Sequence, residues 1–148
     1  MRGIWFIVAF LVCALDQATK FYVSLLLGEG GARPVIKNFF HLTLVHNTGA
    51  AFGLFQNAAF FFAGVSLITV VLIIFFMKKK NSDIVFDAGL AMILGGAAGN
   101  LLDRLRLGYV VDFIDFRIWP VFNVADSCIT IGAFLILLSV FIHKRGTK

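Results

Sequence analysis

Nine polar side chains, Asp16, Lys20, Asn47, Asn100, Asp103, Arg104, Asp112, Asn123 and Asp126, stand within or just beside stretches that are otherwise apolar. An isolated charge in hydrocarbon costs about 2.5–3.5 kcal/mol even on the lenient insertion scale, so a cluster at one level needs a shared purpose. Snorkelling to water accounts for long side chains such as Arg106 and Arg117. It does not account for Asp and Asn, which are too short to reach far. No serine or cysteine has a histidine base within reach of the pattern: His143 ends the last apolar run, and His41 and His46 lie in a long connection away from Ser127 and Cys128. A Ser/Lys arrangement through Lys20 stays open, although Asp16, four residues earlier on the same helix face, is its natural partner. Carboxylate chemistry is the main possibility. Two Asp side chains about a water apart cannot both ionise easily, and the pair can then activate a water while protonating a departing amine.

Local context ranks the acids without deciding between them. Asp126, in Asn123-Val124-Ala125-Asp126, opens the last apolar run and stands first. Asp112, within Val110-Val111-Asp112-Phe113-Ile114, is in surroundings that push a carboxyl toward its protonated form. Asp103 is followed by Arg104 and Arg106, cations that keep it ionised and suit a structural anchor. Asp115, three residues after Asp112, is the competitor of that residue.

The elements that must position these groups follow from composition. Of 148 residues, 60% are hydrophobic and 14% charged, against roughly 45–50% and about 25% in soluble domains. Eighteen phenylalanines face two tyrosines, as suits lipid, which asks no polar handle of a ring. The expected fold class is an all-α integral membrane protein: four transmembrane helices with a small extracytoplasmic β element, in a single membrane domain. Spans of about 20 apolar residues are expected at 3–27, 58–77, 84–102 and 122–142. The third is rich in Gly and Ala, which let backbones approach closely. Met1-Arg2 and the apolar run to Leu15 resemble a cleavable signal peptide, but Asp16, Lys20 and the further apolar residues after them argue for a retained helix.

The net charge of +5 reflects topology. Arg2, Lys78, Lys79, Lys80, Lys144, Arg145 and Lys148 end apolar segments and assign both termini to the cytoplasm. No basic stripe remains for nucleic acid. Cys13 and Cys128 lie in apolar stretches, far from His at metal-ligand spacing, and read as buried small hydrophobes. The outer face then carries loops 28–57 and 105–121. In the first, Phe40, Leu42 and Leu44 alternate with His41, Thr43 and Val45 at strand period, and the Gly28–Gly31 hinge suggests a cover over a substrate.

Four motifs run in order through the chain: Asp16-Gln17-Ala18-Thr19-Lys20; His46-Asn47-Thr48-Gly49-Ala50-Ala51-Phe52-Gly53; Gly99-Asn100-Leu101-Leu102-Asp103-Arg104 with Val110-Val111-Asp112-Phe113-Ile114; and Phe122-Asn123-Val124-Ala125-Asp126-Ser127. Together they resemble the signatures of the bacterial lipoprotein signal peptidases, or signal peptidase II. The resemblance implies an intramembrane aspartic endopeptidase of the bacterial inner membrane, working near its outer surface. It would cut prolipoproteins before a diacylglyceryl-modified cysteine, without metal or cofactor, as a monomer, and would be inhibited by globomycin. It implies Asp112 and Asp126 as the catalytic pair. Asn47, Asn100, Arg104 and Asn123 would line or brace the site, with Asp16, Lys20 and Asp103 stabilising it. Such a substrate is already anchored in lipid, where its acyl chains can remain. Asn47 and Asn123 could face an oxyanion or orient an aspartate. The alternative from composition alone is a small proton or ion transporter, and a third is an inert assembly partner. A conductor needs polar groups through the whole thickness, and the inner halves of the spans are almost bare.

Overall fold

The computed structural model describes residues 2–49, 58–78 and 83–146. Four helices form the body: α1 (Arg2–Leu27), α2 (Ala59–Lys78), α3 (Ile84–Leu107) and α4 (Val124–Gly146). All four contain a stretch long and apolar enough to cross a membrane. Strands β1 (Ala32–Ile36), β2 (Phe40–Asn47) and β3 (Val110–Asp115) make one antiparallel sheet in the order β1-β2-β3. The Ala50 to Gly53 end of the second motif, and Lys79, Lys80 and Lys148, lie outside the described residues.

The four-helix membrane class is as expected, with differences at the edges. α3 continues past 102 to Leu107, because Gly108 supplies a left-handed C-cap (φ 79°) and its N–H donates to the Arg104 carbonyl at 3.1 Å. Hydrophobic thickness limits the apolar part of a helix and not its length. The connection 105–121, expected to be a loop, contains β3, whose residues pair with β2 from Val110↔Asn47 to Asp115↔His41. The β element extends beyond the first loop for that reason. β1 is the exposed edge, where Pro34 can sit without a ladder N–H. Cys13 and Cys128 are free thiols, each partly rather than fully buried.

Backbone proximity, more than side-chain interlocking, holds α3 in the middle. A Cβ on Gly89 would lie 2.7 Å from the Gly132 carbonyl oxygen, and one on Gly132 would lie 2.6 Å from that of Gly89. Gly95 faces Ala9 of α1 and Gly96 faces Ala125 of α4 in the same way. Small residues give membrane helices this approach, since lipid offers no hydrophobic drive to associate. The half of the bundle away from the sheet is filled by Ala9, Met77, Leu90, Ala91 and Leu94, with Trp5, Val70 and Ile73 packed around them. The other half, where α1 and α3 end and α4 begins, carries the sheet and the polar residues.

Candidate active site

Asn123 caps α4. Its Oδ1 accepts from the Asp126 N–H at 2.8 Å, and its own N–H donates to Asp126 Oδ2 at 3.3 Å. This reciprocal capping box fixes Asp126 in the first turn of α4. The Asn123 amide also donates to Asp112 Oδ1 at 2.7 Å, so one residue, through its backbone N–H and its side chain, joins the α4 acid to the β3 acid. Asn47, at the end of β2, donates to Asp112 Oδ2 at 2.9 Å while its Oδ1 accepts from the Gly49 N–H. Asn100 of α3 donates to Asp126 Oδ1 at 2.8 Å.

Each of the three amides is oriented from its oxygen side. Donors hold the carbonyl oxygens, so every NH2 group must aim at a carboxylate. For Asn100 the donor is the Lys20 ammonium at 2.9 Å, helped by Asn123 at 3.1 Å. Lys20 divides its three protons among Asn100 Oδ1, Asp16 Oδ2 and Asp103 Oδ2, the last two at 2.8 Å. It is only 3% exposed, and Asp16 is fully buried. A buried cation is tolerable only when paired and fully hydrogen-bonded, as here.

Both acids of this layer tie elements together. Asp16 Oδ1 accepts from the Ala125 N–H at 2.9 Å, joining α1 to the start of α4. Asp103 accepts from the Val111 N–H at 3.1 Å and from Gln17 at 2.8 Å, joining α1, α3 and β3. Asp103 thus ties three elements together, and its cation is Lys20 and not Arg104. Arg104 turns toward α2, where it donates to Ser66 at 3.3 Å and lies 5.6 Å above the Phe62 ring.

All nine residues singled out from the sequence meet at this end of the bundle, in two layers. Asp112 and Asp126 share a cavity of about 290 Å³ with Asn47, Asn100 and Arg104, and the Lys20 network lies behind it. Burial, reinforced by the charge of Asp126, lifts the Asp112 carboxyl to about 7. Asp115 behaves oppositely. Burial pushes it up, but donation from the Thr43 hydroxyl and from the Arg117 N–H and guanidinium outweighs this and holds it below the ordinary value. Arg117 is thus an ion-pair partner, 3.1 Å from Asp115, and not simply a snorkelling cation. The pair in the cavity can hold one proton between two carboxyls. Among the described residues, no three His, Cys, Asp or Glu side chains converge as a metal would require.

The sequence reading passed over Gln17, which lies inside the first motif, and Thr43, one of the alternating residues of β2. It also missed Trp119, Pro120 and Val121, which wall the cavity on one side. Their pattern carries no chemical signature, and only the return of the chain from β3 to α4 brings them there.

The similarities of the chain agree with this arrangement. Residues 8–142 match the family model described as Signal peptidase (SPase) II. The lipoprotein signal peptidase of Caldanaerobacter subterraneus subsp. tengcongensis is 52% identical, over 96% of this chain and 97% of its own length. That of Clostridioides difficile is 40% identical over 97% and 99%. A bacterial membrane enzyme solved by the in meso method at 2.3 Å resolution superimposes with a TM-score of 0.90 at 32% identity, over 99% of this chain and 92% of that one. A second, at 1.9 Å resolution, gives 0.83 at 33% identity, over 93% and 92%. By sequence and fold alike, the chain belongs to the signal peptidase II family.

Proposed function

We propose that this signal peptidase II removes the signal peptide of prolipoproteins by cutting before a diacylglyceryl-modified cysteine, with Asp112 and Asp126 as an aspartic pair. The observation that carries the reading is Asn123, which hydrogen-bonds both carboxyls at once. Asp112 holds the shared proton and Asp126 acts as the base. Asp126 takes a proton from water as the oxygen adds to the peptide carbon, and Asp112 protonates the carbonyl oxygen. Collapse of the tetrahedral intermediate expels the amine of the cysteine, which leaves with a proton returned by the pair. Asn47 and Asn123 orient Asp112, since both amides already donate to it. Arg104 supplies positive charge at the cavity wall.

The setting is the bacterial inner membrane, with both termini in the cytoplasm and the sheet on the outer surface. There a lipid-anchored substrate meets the acids at the depth of its scissile bond. The chain works as a monomer, and a cyclic peptide of the globomycin type that fills the acid cavity is the inhibitor class this reading implies. Among the described residues no feature favours a transporter: the apolar cluster around Leu90 and Met77 fills the half of the bundle that a conducting path would have to cross.

The test is product analysis. The purified protein should convert a diacylglyceryl-modified precursor peptide into a product whose new N-terminus is the modified cysteine, as read by mass spectrometry. Cleavage at any other bond, or none, overturns the reading.

A further inference from the structure

A second cavity, of about 450 Å³, opens beside Asp126. Phe116, Trp119, Phe122 and Ile131 form most of its wall. Trp119, Phe122, Asp126 and Thr130 border both this chamber and the acid cavity, so the two communicate at Asp126. Two hydroxyl residues also line the chamber, but neither offers it a proton. Ser127 donates to the Asn123 carbonyl at 3.0 Å and Thr130 to the Asp126 carbonyl at 2.9 Å, both within the first turns of α4.

The mouth of the chamber faces lipid. Ile131 and, three residues on, Phe134 are 48% and 63% exposed on a membrane-spanning helix. Trp119, which lines the chamber, and its chain neighbour Ile118 are 60% and 90% exposed. An occupant therefore enters from the hydrocarbon. A peptide backbone entering that way would find few donors for its C=O groups, since both hydroxyl protons are already spent. An alkyl chain has no such groups.

We propose that this chamber holds one acyl chain of the diacylglyceryl group on the substrate cysteine, so that this chain does not stay in lipid during the cut. The inference rests on the function proposed above and adds to it the part of the enzyme that reads lipidation. Lipid is as apolar as the chamber, so transfer into it brings little hydrophobic gain. What the chamber supplies is position: a chain tethered to the residue beside the scissile bond fixes that bond against Asp126.

The test compares two precursor peptides whose cysteine carries long (sixteen-carbon) or short (four-carbon) acyl chains, both in detergent. For the parent protein, kcat/KM should favour the long chains. Ile131→Trp, which fills the chamber, should lower the long-to-short ratio by about tenfold, in line with the cost of misplacing a reacting group. Ile131→Ala, which leaves the chamber open, should preserve the preference, and short-chain turnover shows that each variant is folded. An unchanged ratio in Ile131→Trp overturns the inference. So does a result in which the filled chamber instead abolishes discrimination between apolar and small side chains of the signal segment, because the occupant is then a side chain. A parent protein that cuts neither peptide contradicts the proposed function itself.

Discussion

Asp112 and Asp115 differ by three positions and by the groups that donate to them. Asp115 is committed to Thr43 and Arg117. Asp112 faces the acid cavity and is held near 7 by burial and by Asp126. The sequence ranked the acids by neighbours in the chain, and this is where it fell short. The cation of Asp103 comes from α1, and the link between Asp112 and Asp126 comes from the cap of a helix. The residue types were legible; their pairings depend on long-range packing. The shift of Asp112 has a signed consequence. The folded protein keeps a proton that the unfolded chain, titrating near about 4, has already lost. The contribution of this site to stability is therefore full below about 4, falls as pH rises to about 7, and is constant above. Loss of the same proton removes the acid of the proposed pair. Accordingly, kcat/KM should fall as pH rises through about 7, measured on a lipidated precursor in detergent. A rate that stays flat well above neutrality would remove Asp112 from that role.

α3 is the element on which the site depends. It carries Asn100, Asp103 and Arg104, and it presents glycines to α1 and α4. The Gly/Ala run in its sequence announced close packing, and the uninterrupted apolar stretch of α2 announced a span. β3 was not announced, because Val110 to Ile114 is a short run without a clean alternation and is buried nearly throughout. Its pairing partner lies more than sixty residues earlier, at Asn47. The glycines give a graded prediction. Gly132→Ala sets a methyl against the backbone carbonyl of Gly89, and Gly99→Ala sets one 2.5 Å from Asp16 Oδ2. Asp16 is pinned by Lys20 and Ala125 and has little room to yield. Each change should cost about 1–3 kcal/mol, seen as a lower Tm in detergent. Gly64→Ala on α2, where nothing lies within 4 Å, should leave Tm unchanged or raise it. Equal effects at the three positions would deny that close approach of helices holds α3 in place.

At the scale of the whole molecule, polarity is segregated. One half of the bundle is an apolar seal around Met77 and Leu90, and the other holds the buried acids under a small sheet. The basic ends of the spans underlie our proposal that the sealed half lies on the cytoplasmic side. A fluorescent protein fused to the C-terminus should therefore fluoresce, and alkaline phosphatase fused there should be inactive; the opposite pattern would invert the topology. The four spans were readable from hydropathy because lipid imposes one length on them all. That the acids gather at one end of the bundle was readable from where the few charges fell, while the apolar chamber beside Asp126 was not, since aromatic residues between β3 and α4 look like any surface loop. The pairing of Asp112 with Asp126 is tested most directly by cleavage of a diacylglyceryl-modified precursor by the parent, Asp112→Asn and Asp126→Asn proteins, each checked for a cooperative melt. Both variants should melt as folded proteins and lose activity by roughly 10²–10⁴-fold or more. Parent-like turnover by either one would contradict the pair.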